Sequence, residues 1–463
     1  MDDATQATLV QLDALIPSGP YRAQNRMEIV DVTGVPVAEL SILPTLFVHR
    51  AIAALRKSTV APLEVRLDRL ARAGELFRTA EIAGLSVEQY QHLVSRISGL
   101  GISEVISATE RIARRGAEAY RHSQFARPDG AVGLRADPIT RTGSAVWVRR
   151  GDVFGVHAAG NHPGLHMGWL EALALGYKVA VRPSRKEPVT AHRLVSALWL
   201  AGFGQDEVVL LPTDYAAADE MLKATDLSMM YGGDALMQQY EGDQKVLPRG
   251  PGRSKIVIGA DEDWTRYIDL IVDSVSHGGG TGCTNTTTVL LDGDVDALAA
   301  AVGKRLAEIE PLPPEDPRAL LPVSELAAAE RVRDFVVQAA QGTRAVLPAA
   351  EIVADLGDGS AALRPAVHVL SSGTAAQAGV EVGFPCVWIG PWSPDDGIDP
   401  LRNSLVLTAI GVDDALIERA LQDPTVRNVY VGPHATYWGG LGMPHDGYLA
   451  DFLMKSKGYI ATA

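Results

Sequence analysis

Cys283 is the residue of this chain whose surroundings best fit a chemical role. It is one of two cysteines among 463 residues, and it ends the run 278–283, Gly-Gly-Gly-Thr-Gly-Cys. Four glycines in five positions bring backbone N–H groups close to the sulfur and leave room for a substrate. Loops held by rigid elements are where nucleophiles tend to sit. A tight turn that merely contains a small buried cysteine is the alternative at this point.

The elements on either side of this loop are a helix and a strand. Ile268, Ile271, Val272 and Val275 recur at helical spacing before the loop, and residues 288–291, Thr-Val-Leu-Leu, are typical of a strand after it. Two such elements would hold the cysteine in a fixed place.

A regular alternation of strands and helices precedes this segment, and it indicates βαβ units in a parallel, doubly wound sheet. Ligands of such sheets bind outside the carboxyl ends of the strands, here residues 159–163, 183–185 and 232–233. The predicted strands are 153–157, 179–182, 208–211 and 227–231, and the predicted helices are 164–176, 188–201 and 216–223.

The remaining segments complete an α/β organisation. Residues 43–120 have helical periodicity, whereas 125–148 has the turns and short apolar runs of extended strands. A second α/β segment begins near residue 255. It is predicted to contain helices over 295–308 and 323–340 and strands over 366–370, 387–389 and 428–431.

Composition excludes several classes of protein. A formal charge of -14 argues against nucleic acid or an anionic membrane as the partner. Two cysteines exclude a disulfide framework, and no apolar run reaches the length of a membrane span. The acidic start lacks the features of a signal peptide. We expect a cytoplasmic protein without a bound metal.

The order of several short motifs resembles the aldehyde dehydrogenase superfamily from about residue 40 to the end. The pair Gly282-Cys283 is one of these motifs, because the family places its cysteine in a glycine-containing loop. The others are Gly-Asn-His-Pro at 160–163, Arg-Pro-Ser-Arg at 182–185, Glu-Val-Gly-Phe-Pro-Cys-Val at 381–387, and an ending from Gly439 to Lys455. The run Gly-Pro-x-x-Ser at 250–254 is closer to the acylating, fatty acyl-coenzyme A reductase branch.

The resemblance implies that Cys283 attacks a carbonyl and forms a thiohemiacetal or a thioester. A thiolate is required, because the neutral thiol is a weak nucleophile. Asn161 would donate its side-chain amide to the developing oxyanion, and the backbone N–H of Cys283 would be the second donor. Taken alone, Asn161 also fits a turn residue before His162-Pro163.

The resemblance also implies a nicotinamide cofactor across the strand ends. Arg185 lies where NAD-preferring relatives keep a glutamate, and an arginine there fits a 2′-phosphate, so we expect NADP(H) to be preferred, with NAD(H) possible. A solvated charge beside Lys186 is the alternative. The implied cofactor residues are Arg182, Ser184 and Arg185 at the adenosine end, Gly232 and Gly233 at the pyrophosphate, and Glu381 and Phe384 at the nicotinamide end.

One departure from the family affects the reaction. Hydrolytic members carry a glutamate that activates the deacylating water, but the corresponding run 247–255 contains no carboxylate. The acyl group would then pass to a thiol of coenzyme A or of a carrier protein's phosphopantetheine. The reverse reaction is reduction of an acyl thioester to an aldehyde. Three alternatives remain: aldehyde oxidation with His162, His277 or a distant carboxylate as base, a catalytically inactive binding protein, and a cofactor-free cysteine hydrolase.

The resulting fold prediction is an aldehyde dehydrogenase-like α/β protein with a Rossmann-type cofactor domain, an α/β catalytic domain and a small β arm. The arm would add strands to a neighbour's sheet, so we expect a homodimer or homotetramer, which light scattering would test. The predicted parts are 1–124, a helical part of the cofactor domain; 125–150, the oligomerisation arm; 151–250, the NAD(P)-binding domain; 251–435, the catalytic domain; and 436–463, a C-terminal oligomerisation segment.

Overall fold

The computed structural model describes residues 9–461, and the chain begins there with short strands. The helical part predicted over 1–124 is therefore wrong for residues 10–41, and its residues 1–8 lie outside the described range. Strands of three to six residues are too short for an alternating pattern to stand out. They are β1 (Val10–Leu12), β2 (Ala14–Ile16), β3 (Gly19–Tyr21), β4 (Arg26–Val30) and β5 (Pro36–Ser41).

Four helices then confirm the helical periodicity of residues 43–120. Helices α2 and α4 cross closely at Gly74, where any side chain would overlap the carbonyl oxygen of Ala113. Helix α4 is long, and its first turn carries Glu104 toward the site described below. The helices are α1 (Thr45–Lys57), α2 (Leu63–Thr79), α3 (Val87–Ser98) and α4 (Ile102–Ser123).

A parallel, doubly wound sheet follows as predicted, after two strands of a separate arm, β6 (Ala131–Val132) and β7 (Ser144–Arg149). The predicted helix 164–176 is replaced by a 3₁₀ turn at Pro163–Met167, which ends at Gly168, and by the brief α5. The elements are β8 (Val153–His157), α5 (Leu170–Ala174), β9 (Lys178–Arg182), α6 (Val189–Leu200), β10 (Val208–Leu210), α7 (Tyr215–Ala224), β11 (Leu227–Tyr231), α8 (Asp234–Gln239) and β12 (Val246–Arg249).

Within residues 9–461 this sheet has seven strands in the order β12-β11-β8-β9-β10-β2-β3. Strands β12 to β10 are parallel, and β2 joins antiparallel to β10. The carboxyl ends of β8, β9 and β11 therefore lie along one edge, as the alternation predicted.

The second α/β unit contains the Cys283 loop between α9 and β14. The predicted helix 323–340 is preceded by a short strand, since residues 323–325 pair with another strand instead of continuing the helix. The elements are β13 (Ser254–Ile258), α9 (Ile268–Ser276), β14 (Thr286–Leu291), α10 (Val295–Leu306), β15 (Val323–Glu325), α11 (Leu326–Ala339), β16 (Arg344–Leu347), β17 (Val353–Asp355), β18 (Ser360–Leu363), β19 (Ala366–Val369), β20 (Cys386–Pro391), β21 (Leu407–Ile410), α12 (Asp414–Gln422) and β22 (Val429–Val431).

In the described part of the chain, the second large sheet also has seven strands, in the order β16-β19-β20-β14-β13-β21-β22. Its central strands are parallel. Each large sheet has its own buried apolar core, around Val156 and Leu194 in the first and around Ile256 and Val289 in the second. Two separate cores are what a chain of this length requires.

The chain ends with α13 (Leu449–Leu453) and β23 (Met454–Tyr459). Strand β23 pairs antiparallel with β7, and β6 lies on the other side of β7, so the two segments predicted as arms form one small sheet. Self-association through this sheet stays a prediction. None of the helices between residues 9 and 461 is long and apolar enough to cross a membrane.

Candidate active site

The Cys283 loop takes a backbone shape that only glycines adopt without strain. After α9, the residues Gly278, Gly279 and Gly280 have φ values of 56°, 73° and 67°. A Cβ at Gly280 would lie 2.6 Å from the backbone nitrogen of Pro385. The glycine run therefore turns the chain sharply and lets it approach the segment 381–387 closely.

The backbone of Cys283 is also fixed from the other side. Gly252 lies so close that a side chain there would overlap the Cys283 carbonyl oxygen. The hydroxyl of Ser254 donates a hydrogen bond to the same carbonyl at 3.2 Å. These contacts hold the cysteine against the start of β13, as the position of the loop between rigid elements predicted.

The Cys283 thiol faces an imidazole. Its Sγ lies 3.2 Å from Nε2 of His445, and the side chain is half-buried against Leu405, Val406 and Tyr430. Burial, followed by the nearby charge of Glu381, raises the pKa of the thiol to about 12. The sulfur is therefore protonated at neutral pH unless a base or a bound cation assists its ionisation.

His445 was missed by the sequence analysis, which assigned 436–463 to oligomerisation. That assignment stays a prediction, and the segment around His445 folds back onto the Cys283 loop before the chain reaches β23. The surrounding protein lowers the pKa of His445 to about 4, although its side chain still reaches solvent. The only sequence signal was a Pro-His-Asp run, 444–446, within a glycine-rich segment.

Asn161 reaches the Cys283 loop as predicted from its place after β8. Its side-chain amide donates a hydrogen bond to the carbonyl oxygen of Thr281 at 3.1 Å, two residues before the cysteine. An amide nitrogen carries two hydrogens, so a second donor remains for a substrate oxygen. Asn161 thus lies close to the Cys283 loop, and its role in binding the oxyanion stays a prediction.

His162 and His277, the two histidines considered as bases, have other contacts. His162 accepts a hydrogen bond from the backbone of Gly164 on Nδ1, so its Nε2 carries the proton that faces Glu104 at 2.8 Å. His277 stacks on Tyr437 with ring centroids 3.7 Å apart. Neither side chain has the contact with Cys283 that His445 makes.

The carboxylates whose charges act on the Cys283 thiol are Glu381 and Asp446. Glu381 accepts the backbone N–H of Arg253 at 2.6 Å. Asp446 contacts Arg249 at 3.1 Å and Arg427 at 3.3 Å. Both carboxylates thus have hydrogen-bond or ion-pair partners. Arg249 belongs to the run 247–255, in which hydrolytic relatives carry the glutamate.

The predicted adenosine end of the cofactor site contains two adjacent guanidinium groups. Arg182 and Arg185 lie over the ring of Tyr215, with 5.5 and 5.1 Å between guanidinium carbon and ring centroid. Both donate to Thr213. Among residues 9–461, the buried Nε of Arg185 has no hydrogen-bond partner. An anionic group bound here would satisfy that donor, so the residues fit a phosphorylated cofactor.

Close backbone approach marks the same strand ends. A side chain at Gly160 would overlap the hydroxyl of Ser184, and nothing lies within 4 Å of the Cβ position of Gly233 at the start of α8. Gly232 packs on Leu236, where a Cβ would meet side-chain atoms at 3.0 Å. Ser184, Gly232 and Gly233 are thus placed along the edge where a dinucleotide would lie.

Glu381 and Phe384, predicted at the nicotinamide end, are placed differently. The Glu381 carboxylate lies between the Arg253 backbone and Cys283, and burial raises its pKa. The ring of Phe384 is 2% exposed and packs in the core with Trp388. The ring thus has almost no free surface in this structure, and the expected cofactor contact of Phe384 stays a prediction.

The arrangement of two α/β units around a glycine-loop cysteine agrees with comparisons to known proteins. A model of the aldehyde dehydrogenase family matches residues 48–389, most of the chain. The chain belongs to the aldehyde dehydrogenase family.

Relatives and solved structures are similar at low sequence identity. A 2-hydroxymuconic semialdehyde dehydrogenase of Pseudomonas sp. (strain CF600) is 26% identical over 55% of this chain and 55% of its own length. A 3-sulfolactaldehyde dehydrogenase of Priestia aryabhattai is 24% identical over 73% of this chain and 72% of its own length. The chain thus spans about half the length of the first of these relatives.

The fold extends over the whole chain in two solved structures. An NAD-dependent aldehyde dehydrogenase from Sinorhizobium meliloti superposes with a TM-score of 0.82 at 16% identity, covering 100% of this chain and 96% of the other. An indole-3-acetaldehyde dehydrogenase in complex with NAD+ gives a TM-score of 0.81 at 17% identity, covering 98% of both chains. These similarities concern the fold.

Proposed function

We propose that this protein is an NAD(P)-dependent oxidoreductase that links an aldehyde and an acyl thioester through Cys283. The observation that carries the proposal is the pairing of the carboxylates around the thiol. Glu381 is held by the Arg253 backbone, and Asp446 by two arginines, so neither is poised to activate water. An acyl group on Cys283 would therefore be hydrolysed slowly and be transferred mainly to a thiol.

Each residue of the site has its own role in the proposed reaction. The Cys283 sulfur attacks the carbonyl carbon of an acyl thioester, and the departing thiol takes up a proton as the new thioester to Cys283 forms. The free amide hydrogen of Asn161 and the backbone N–H of Cys283 stabilise the negative oxygen. When bound, the nicotinamide supplies a hydride in the reductive direction and accepts one in the oxidative direction.

NADP(H) is the proposed cofactor, with NAD(H) as the alternative. Two guanidinium groups stacked on one ring, one with an unsatisfied buried donor, favour a ligand with an additional phosphate. A solved structure with the same fold is in complex with NAD+, which supports a nicotinamide dinucleotide as the class of cofactor.

Replacing Arg185 by glutamate should weaken NADPH binding by ~1–3 kcal/mol, because a charge-assisted contact is lost and a repulsive charge is added. NADH, which lacks the phosphate, should bind no more weakly than to the wild type. Titration calorimetry measures both affinities. Lys186→Glu is the matched control, since Lys186 is exposed, carries the same charge and is not part of the stack on Tyr215. Equal losses in the two variants would count against a specific role for Arg185.

The proposed activity is tested by incubating the protein with NADPH and a panel of acyl-coenzyme A and acyl-pantetheine thioesters. Loss of nicotinamide absorbance together with release of free thiol and aldehyde is the expected result. If the panel gives no thiol release while aldehydes are oxidised steadily to acids without any thiol, the thioester assignment is wrong.

Hydrolytic aldehyde oxidation is the second candidate. It is favoured by the names of the relatives, which are semialdehyde and sulfolactaldehyde dehydrogenases. The imidazole of His445 beside Cys283 would then take the proton of the attacking water.

A further inference from the structure

An imidazole nitrogen within hydrogen-bond distance of the nucleophile is the feature of this site that the family resemblance did not imply. Nε2 of His445 lies 3.2 Å from Sγ of Cys283. The two residues are 162 positions apart in sequence, so only the fold brings them together. The position of the histidine therefore depends on what holds the segment 443–448 in place.

That segment is anchored at consecutive residues. The buried amide of Asn428 donates to the backbone carbonyl of His445 at 2.6 Å. Arg249 donates to the backbone carbonyl of Asp446 and contacts its carboxylate at 3.1 Å. Arg427 contacts the other carboxylate oxygen at 3.3 Å. Contacts to two successive residues from three side chains fix the backbone directly beneath the imidazole.

We propose that His445 is the general base of this enzyme, which takes the Cys283 proton during nucleophilic attack and returns it to the departing group. Arg249 and Asp446 act as positioning residues for the imidazole. In this arrangement an arginine of the run 247–255, the run in which hydrolytic relatives carry their glutamate, is the anchor for the base. The inference deepens the proposed function and rests on Cys283 as its nucleophile.

The proton movements of the acylation step balance without a further reactant, and the Cys283 thiolate that is left when the aldehyde departs takes its proton from solvent. As the bond from Sγ to the carbonyl carbon forms, the S–H bond breaks and its proton passes to Nε2. As the C–S bond of the departing thiol breaks, that sulfur takes the same proton from Nε2. The imidazole is neutral before and after the transfer, so it serves in every turnover.

The charges around the pair define the expected pH dependence. Burial and the charge of Arg249 lower the pKa of His445 to about 4, against the opposing effect of Asp446, while burial and Glu381 raise the pKa of Cys283 to about 12. Two further groups lie near the pair. Arg427 is bound to Asp446, and Tyr231 is neutral because burial raises its pKa to about 12. A neutral imidazole and a protonated thiol thus coexist over a wide range around neutrality, and sulfur reactivity assisted by the imidazole should be flat there.

The experiment measures alkylation of the cofactor-free protein by iodoacetamide across pH, with the site of modification read by mass spectrometry. Wild-type Cys283 should show a rate plateau that falls only below roughly pH 5, where the imidazole is protonated. His445→Gln keeps a side-chain polar group but cannot accept a proton. Its rate at pH 7 should drop by about 10²-fold or more, and should rise in proportion to hydroxide.

Several variants separate the chemical role from a structural one. His434→Gln, which changes an exposed histidine of the same C-terminal stretch that makes no such contact with Cys283, should keep the wild-type plateau. Arg249→Met should lower the plateau without removing it, because the base remains but is misplaced, and Arg249→Lys should restore part of the rate. The proposal would be overturned if the alkylation rate of His445→Gln were still independent of pH, whatever its size. It would also be overturned if the rate became proportional to hydroxide in His162→Gln or His277→Gln instead.

The alkylation assay also distinguishes this inference from the proposed function. Iodoacetamide requires neither cofactor nor thioester, so loss of the plateau in His445→Gln supports the base even in a protein that turns over no acyl thioester. Conversely, thioester reduction that persists unchanged in His445→Gln would leave the proposed function intact and remove the base.

Discussion

Cys283→Ala should lower turnover by on the order of 10⁴-fold or more and abolish every covalent acyl-enzyme species. The cause is the loss of the sulfur that forms the bond to the carbonyl carbon, because the methyl group of alanine has no nucleophilic atom. Cofactor binding should survive, because the guanidinium groups at the adenosine end lie on β9 and the turn after it, away from the loop. Intact-mass spectrometry after addition of an acyl thioester checks the covalent species, and fluorescence of bound NADPH checks the cofactor.

Cys386→Ala is the matched control for this prediction. Cys386 is 5% exposed and packs in the core of the second unit, and burial raises the pKa of its thiol to about 12. The variant should lose some stability and keep its turnover. A Cys283→Ala protein that retains wild-type turnover, or acylation that follows Cys386 instead, would contradict the assignment of the nucleophile.

The parts of the fold that the sequence predicted correctly are those with a strong local pattern. Strands β8 and β11 begin and end where their mostly apolar runs predicted, because central strands covered on both faces are rich in apolar residues. The amphipathic α9 and the glycines after it placed the Cys283 loop in the same way. Asn161 was found because its turn follows a strand whose carboxyl end must lie at the site.

The parts that failed depend on long-range packing. The strands β1 to β5 are too short to show a period, and their pairing with β10 or with one another is set by the fold. His445 has no local signal, since its role arises from anchoring by Asn428 and Arg249, which lie far away in sequence. The core position of the Phe384 ring was not evident from its motif either, because burial is set by packing against residues such as Trp388.

The absence of a carboxylate from the run 247–255 takes on a clearer meaning in the folded protein. Arg249 puts a positive charge near Cys283 and binds Asp446, so this position contributes an anchor rather than a base. Proton acceptance is left to an imidazole whose pKa is lowered to about 4. Such a weak base assists ionisation of an incoming thiol far better than ionisation of water, because a thiol is the stronger acid.

Aldehyde and NADP⁺ alone should therefore give a burst of about one equivalent of NADPH per active site, followed by slow turnover. The burst reports formation of the acyl-Cys283 thioester, and the slow phase reports its attack by water without an effective base. General-base assistance is worth about 10²–10⁴-fold, so deacylation by water should be slower by a factor in that range than in an enzyme with a positioned base for water. Rapid-mixing absorbance of the nicotinamide measures both phases.

Coenzyme A or a carrier-protein thiol should relieve the stall, because a sulfur nucleophile is acidic enough to give its proton to the weak imidazole base. The control is the alcohol analogue of the pantetheine arm, which has the same shape around the terminal group but a hydroxyl in place of the thiol, and which should leave the slow phase unchanged. Glu381→Gln tests the remaining carboxylate beside the thiol. If it removed slow hydrolysis entirely, Glu381 would be the base for water. Sustained oxidation without any thiol, at about 1–10³ per second, would falsify the thioester assignment and leave hydrolysis as the reaction.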